Sequence, residues 1–341
     1  MSGSTSIVVT TIQPPTESVR RLQQACFDND ARLLVVGDQK GPQHYDLDGV
    51  EFFSLEDQHE YDFNLLKHLP VNHYARKNFG YLHAMHSGAP LIYETDDDNY
   101  PLANWRFRLQ RSNARIIHQP GWYNVYRAFC DHTIWPRGFP LDEIRVERED
   151  YQSSGQSESV ASPVQQGLAD NSPDVDAIWR LTLDQPIEFH KAESIHLSAG
   201  VWCPFNSQST WWWPEAYALL YLPSFCTMRM TDIWRGLITQ RCLWAAGTGV
   251  SFHAPEVVQE RNPHNLMRDF NDEIPGYRLN RQITEVLTGL DLRPGLAAIA
   301  ENLRRCYIAL VEQAIFPEQE LELLDAWLSD LPARYQPAKK A

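Results

Sequence analysis

The chain has no CxxC pair and no His/Cys knot: Cys26, Cys130, Cys203, Cys226, Cys242 and Cys306 lie far apart in 341 residues. A disulfide framework and a structural zinc site are thereby excluded, and reduced, buried thiols are expected. Apolar runs reaching about 18 residues are missing, and no basic region precedes IVVTTI, so neither a membrane span nor a signal peptide is read; a soluble, cytoplasmic chain is expected. Positive charge is also scarce. With 44 acidic against 30 basic residues the net charge is -14, an unfavourable average field for DNA or RNA. Glycine-rich phosphate cradles of the GxGxxG or GxxxxGK[ST] type do not occur, so any bound phosphate must be neutralised in another way.

The composition that remains, 43% hydrophobic and 22% charged, is that of an ordinary globular protein. Three short apolar runs, Ile7 to Ile12, Leu33 to Gly37 and Leu91 to Glu94, are separated by helix-like stretches. That alternation predicts an α/β fold with parallel strands and crossover helices. Ligands of such sheets bind outside the carboxyl ends of the strands, where TIQPP with Thr11, GDQKGP with Asp38 and TDDDNYP all fall. The stretch VNHYARKNFGYLHAMHSGAP reads as the helix before the third strand, with Tyr74, Phe79, Leu82 and Met85 on one face and Arg76 and Lys77 in its early turns. Residues 151–171 are rich in Ser, Gln, Gly and Ala and read as a mobile loop or insertion within a domain spanning 1–275. Residues 276–341 read as a helical extension packed on that domain, carrying two apolar-periodic helices.

The sharpest local feature is LIYETDDDNY, which places Glu94, Asp96, Asp97 and Asp98 within five positions. Asp96 and Asp98 form an Asp-x-Asp arrangement whose side chains share one side in extended geometry. Hard oxygen donors of this kind suit Mg²⁺ or Mn²⁺, which bind one or two carboxylates together with substrate phosphates and waters. The competing reading is a solvated acidic turn. An EF-hand is excluded, because Pro101 and Phe107 occupy the positions that need Gly and Glu.

Other candidates keep two readings each. Asp38 can accept hydrogen bonds from a ribose or simply close a turn. In CPFNSQSTWWWPEAY no more than one of Trp211, Trp212 and Trp213 is expected to reach a ligand. Asp232, at the start of the helix candidate MTDIWRGLITQRCLWA, reads as an N-cap or as a general base tuned by Arg235 and Arg241. His253 and His264 can complete a metal shell or contact phosphate, Arg261 lying beside the latter.

Taken together, GDQKGP, VNHYARKNFGYLHAM, IYETDDDNYP, SPDVDAIWRLT, PFNSQST, LLYLPSFCTMRMTDIWRGLITQRCLW and QERNPHN resemble the STELLO family of glycosyltransferases, in order from about Val35 to Asp272. The resemblance implies a GT-A fold with a central mixed, mostly parallel sheet. It also implies an Asp-x-Asp motif holding Mn²⁺ or Mg²⁺ against the diphosphate of a nucleotide-sugar donor, UDP-glucose favoured, with an unknown hydroxyl acceptor. On that basis Asp96, Asp98 and His264 are expected at the metal. Thr11, Asp38, Arg76, Lys77, Asp96 and Asp97 are expected at the donor, and Asp174, Asp176, Trp212 and Arg235 on the acceptor side. Asp232 falls where inverting enzymes of that fold place their base. The rival function is a catalytically silent nucleotide-sugar-binding scaffold that regulates a partner protein.

Overall fold

The structure is a computed structural model that describes residues 4–151, 157–262 and 265–336. Its spine is an eleven-stranded sheet in the order β3-β2-β1-β4-β12-β9-β13-β10-β6-β8, with β5 attached to β13. The strands are β1 (Ser6–Thr10), β2 (Arg32–Val36), β3 (Val50–Phe53), β4 (Ile92–Thr95), β5 (Asn99–Pro101), β6 (Arg111–Ile117), β8 (Glu158–Ala161), β9 (Val164–Asp170), β10 (Ile195–Leu197), β12 (Ser209–Trp212) and β13 (Val250–Gln259). Two further strands, β7 (Gly121–Trp122) and β11 (Val201–Trp202), make a separate parallel pair. Following the pairings outward from β1, strands β1 to β4, β8, β9 and β13 run one way and β5, β6, β10 and β12 the other. With seven of its eleven strands running one way, the sheet is mixed and mostly parallel in strand direction, as the resemblance implied.

The period of two in IVV sorts side chains to opposite faces. Ile7 and Val9 meet Val19, Leu22 and Cys26 of α1 (Glu17–Asp28), while Val8 joins the larger core on the other side. That larger core is built with α3 (Lys77–His86), α5 (Thr231–Ala245), α7 (Ile299–Glu312) and α8 (Gln319–Asp330). Helix α3 lies so close to the sheet that a Cβ on Gly80 would come within 2.6 Å of Val8 and 2.8 Å of Val36. Shorter helices α2 (Leu55–His59) and α4 (Ala177–Thr182) fill the edges, and α6 (Leu266–Thr288) runs through Pro275 without a break.

One expectation about organisation is corrected. The segment 151–171 is not a loop throughout: residues 152–156 lie outside the described residues, but Val164–Asp170 is a strand at the centre of the sheet. Its polar residues are buried because each finds partners. Gln165 donates to the carbonyls of Leu109 (3.1 Å) and Gln110 (3.0 Å) and pairs with His253, and Gln166 donates to Asn206. Residue 276, where the helical extension was expected to begin, lies inside helix α6. The two C-terminal helices expected from periodicity are α7 and α8.

Candidate functional site

The carboxyl ends of β1, β2 and β4 open on a cavity of about 490 Å³. It is lined by Thr10 to Gln13, Asp38, Asn72 and His73, by Asp96, Asp97 and Asp98, and by Arg137, Asp174, Asn206, Arg229, Asp232, Gln259 and Arg261. Half-exposed Ile12 and Met228 also border it. The rim expected from three strand ends is thus present, and a second wall from α5 and β13 faces it.

Each acid of ETDDD has a different fate. Glu94 points under the sheet, fully buried, and is met by both terminal nitrogens of Arg235 (2.9 and 2.8 Å), by the Trp212 indole (2.8 Å) and by the Tyr81 hydroxyl. Asp96 accepts from Tyr74 (2.7 Å) and from Lys77 (3.2 Å), and Asp97 accepts from the hydroxyl of Thr11. Asp98 accepts from the side chains of Asn99 (3.1 Å) and Gln259 (2.9 Å). Burial pushes all three aspartates above the usual carboxylate range, partly offset at Asp96 by Lys77 and at Asp97 by Thr11. For Asp98, burial and then the Asp96 charge push it up to about 7. The trio is a place where negative charge is poorly compensated by the protein itself.

The opposite wall is compensated. Arg137 donates to both oxygens of Asp174 (2.8 and 2.8 Å) and to both oxygens of Asp232 (3.1 and 3.0 Å), and Asn206 adds a bond to Asp174 at 2.9 Å. Burial alone would raise the Asp174 carboxyl, but the Arg137 charge and hydrogen bonds, with Arg229 and Arg261 behind them, outweigh it and hold it at about 2. Arg229 pairs with Glu273 at 2.7 Å. Arg261 instead donates to the Pro173 carbonyl (3.1 Å) and Gln259 (3.3 Å); burial and the charges of Arg180 and Arg229 lower it to about 10.

The structure brings Thr11, Asp38, Asp96, Asp97, Asp98, Asp174 and Asp232 into one cavity. Asp38 is held by the backbone amides of Gln39, Asn72 and His73 at 2.7 to 2.9 Å, so it clasps the 72–73 turn to the end of β2 while facing the cavity. Asp232 is not the N-cap of α5: Met230 holds that position, and the Asp232 carboxylate turns to Arg137.

Six candidate residues, Arg76, Lys77, Asp176, Trp212, Arg235 and His253, do not line the cavity. Arg76 is buried against Gln58 and the Leu69 carbonyl, and Lys77 reaches the site only through Asp96, Tyr74 and the Thr95 carbonyl at 2.7 Å. Trp212 and Arg235 are consumed by Glu94 beneath the sheet. Asp176 caps α4, accepting from the Trp179 amide (2.8 Å) and the Trp135 indole (2.7 Å). His253 sits within β13, bonded to Ser194 (2.7 Å) and Gln165 (2.9 Å), away from the aspartates, and His264 lies outside the described residues. Sequence reasoning missed Arg137, Asn206 and Arg229; Asn206 and Arg229 carried a signal, lying in the PFNSQST and LLYLPSFCTMRMTDIWRGLITQRCLW blocks, and Arg137 carried none.

Residues 229–335 match the family model of the STELLO glycosyltransferases. Two curated relatives from Arabidopsis thaliana, "Probable glycosyltransferase STELLO1" and "Probable glycosyltransferase STELLO2", are 27% and 28% identical over 360 and 354 residues. The chain is similar to these two STELLO proteins over most of its length. These alignments cover 96% and 95% of this chain but 44% of each relative, so the chain spans less than half their length. Among solved structures, a mycobacterial protein (TM-score 0.41, 11% identity, 83% of this chain and 74% of that one) is similar. So is glucosyl-3-phosphoglycerate synthase from Mycobacterium tuberculosis with phosphoglyceric acid (TM-score 0.39, 11% identity, 82% and 80%). Among the described residues no helix is long and apolar enough to cross a membrane.

The donor atoms around Asp96 to Asp98 are hard oxygens, which fit Mg²⁺ or Mn²⁺ by type. Among the described residues no three His, Cys, Asp or Glu side chains form a ready metal-holding group. A cation here would therefore share its shell with ligand oxygens, the arrangement Mg²⁺ adopts with phosphates.

Proposed function

We propose that this chain is a metal-dependent glycosyltransferase. It moves a sugar, glucose favoured, from a UDP-sugar to a hydroxyl acceptor with inversion. The observation that carries this reading is the placement of Asp96, Asp97 and Asp98, whose negative charge the protein leaves poorly compensated, in one cavity with Asp38 at the end of β2 and with the Asp232 carboxylate.

Asp96 and Asp98 would hold the cation, which when bound neutralises charge on the diphosphate. Thr11 orients Asp97, and Lys77 and Tyr74 orient Asp96, so the acidic lip is pre-set before ligand arrives. Asp38 and the Asn72–His73 turn bound the nucleoside end. Opposite them, Asp232 takes the acceptor proton as the acceptor oxygen attacks the anomeric carbon and the sugar–phosphate bond breaks, its electron pair leaving with the nucleoside diphosphate. Arg137 fixes the orientation of Asp232 and shares its charge between Asp232 and Asp174.

A second reading is supported by that same clamp. Both acceptor-side carboxylates are already engaged by Arg137, as they would be in a nucleotide-sugar-binding scaffold that regulates a partner protein without turnover. Donor hydrolysis and transfer assays on the wild type and Asp232→Asn decide between them. The catalytic reading expects turnover that falls about 10²- to 10⁴-fold in the variant with donor affinity retained. Donor binding with equal, negligible turnover in both proteins supports the scaffold.

A further inference from the structure

Asp96 and Asp232, on opposite walls of the cavity, are joined by two hydroxyls. The Tyr74 hydroxyl oxygen lies 2.7 Å from Asp96 Oδ1 and 2.5 Å from Ser207 Oγ, and Ser207 Oγ lies 3.4 Å from Asp232 Oδ2. Lys77 Nζ donates to the same phenol oxygen at 2.9 Å and can accept nothing in return. The chain thus holds two hydroxyl protons for three contacts. Two oxygens 2.5 Å apart need a proton between them, so one of the two is always spent on the Tyr74–Ser207 contact.

Only two arrangements satisfy that count. If Tyr74 donates to Asp96, Ser207 donates to Tyr74 and Asp232 receives no hydroxyl proton. If Ser207 donates to Asp232, Tyr74 donates to Ser207 and Asp96 keeps only Lys77. We propose that Tyr74 and Ser207 form a two-state hydroxyl switch that couples the charge on Asp96 to the hydrogen bonding of Asp232. Neutralising Asp96 turns the phenol proton towards Ser207 and gives Asp232 a second Ser207 donor besides its backbone amide at 3.3 Å. The coupling is reciprocal, so a change at Asp232 alters the cost of charge at Asp96 by the same factor. Tyr74 and Ser207 are positioning residues, since both act through the two aspartates. The switch itself stands on the cation-free geometry; its role in reporting donor loading to Asp232 rests on the metal reading above.

The test is a set of double-mutant cycles in urea on the full, cation-free chain: Asp96→Asn, Asp232→Asn and both together, each with native Ser207 and with Ser207→Ala. Direct repulsion between the two acids persists in both backgrounds, so the switch is read from the difference. The expected result is a non-additivity in the unfolding constant that shrinks roughly threefold to tenfold with Ser207→Ala. Tyr74→Phe is expected to shrink it equally; if that variant does not fold, the Ser207 cycle decides alone. An identical non-additivity with and without Ser207→Ala overturns the proposal. A parallel Mn²⁺ titration should show that Asp232→Asn shifts Mn²⁺ affinity more with Ser207 present than with Ser207→Ala. Failure of Mn²⁺ to bind any of these proteins removes the metal reading, while the urea cycle still decides the switch.

Discussion

The two walls of the cavity use the same residue type in opposite ways. On the strand-end wall, three aspartates lie together with Lys77 as the cation bonded to Asp96, and the Asp98 carboxyl is driven up to about 7. On the helix wall, Asp174 and Asp232 share Arg137, and Asp174 is held down at about 2. The difference teaches that one residue type meets two electrostatic settings here: Asp174 and Asp232 are buried with a shared cation in place, whereas Asp98 is buried among other acids that raise it. Glu94 makes the comparison within one strand, since only two positions from Asp96 it is completed by Arg235.

Removing the cation of the helix wall should have the largest effect on stability. Arg137→Ala leaves Asp174 and Asp232 buried without their shared guanidinium and is expected to cost about 3–5 kcal/mol in urea unfolding. A cost below about 1 kcal/mol would show that this wall is not held by its ion pairs. Next comes the packing that places the strand-end wall. Gly80→Ala drives a methyl into Val8 and Val36 and is expected to cost about 1–3 kcal/mol, read in the same experiment.

The pH effect is the most specific to the aspartate trio. The folded Asp98 carboxyl titrates at about 7 against an ordinary 3.8, so the folded chain holds its proton more tightly than the unfolded chain. Its contribution to stability is complete below about pH 4 and is lost as pH rises through 7. A cation that binds the ionised form reverses this. Apparent Mn²⁺ affinity should therefore strengthen by up to about tenfold per pH unit between pH 5 and 7 and level off above, in calorimetry at fixed ionic strength. A pH-independent affinity would show that the trio is already ionised and that its crowding is compensated elsewhere.

How much of this was legible in the sequence follows the same division. The strand ends were legible because apolar runs followed by polar turns mark the rim of a parallel sheet, and ETDDDN sits directly after one. Arg76, Trp212, Arg235 and Asp176 were misplaced because a polar or aromatic residue near a motif looks the same whether it faces the cavity or completes a buried partner behind it. Arg137 was missed for the converse reason, since PRGFP has no motif and its role exists only once residues 95 positions apart meet. Strand β9 was hidden because its glutamines are satisfied by distant carbonyls, which no local pattern reveals. Gly167 on that strand is where the Glu256 carboxylate approaches, within 2.4 Å of where a Cβ would stand, a reason for Gly visible only in three dimensions.

The central claim is that the aspartate lip holds a cation for a nucleotide sugar. Calorimetric titration of UDP-glucose, with GDP-sugars for comparison, into the wild type and Asp98→Ala with and without Mn²⁺ tests it most directly. The account predicts binding that requires Mn²⁺ in the wild type and is lost in the variant. Absence of binding to any nucleotide sugar in Mn²⁺, with Asp98→Ala indistinguishable from the wild type, would contradict it.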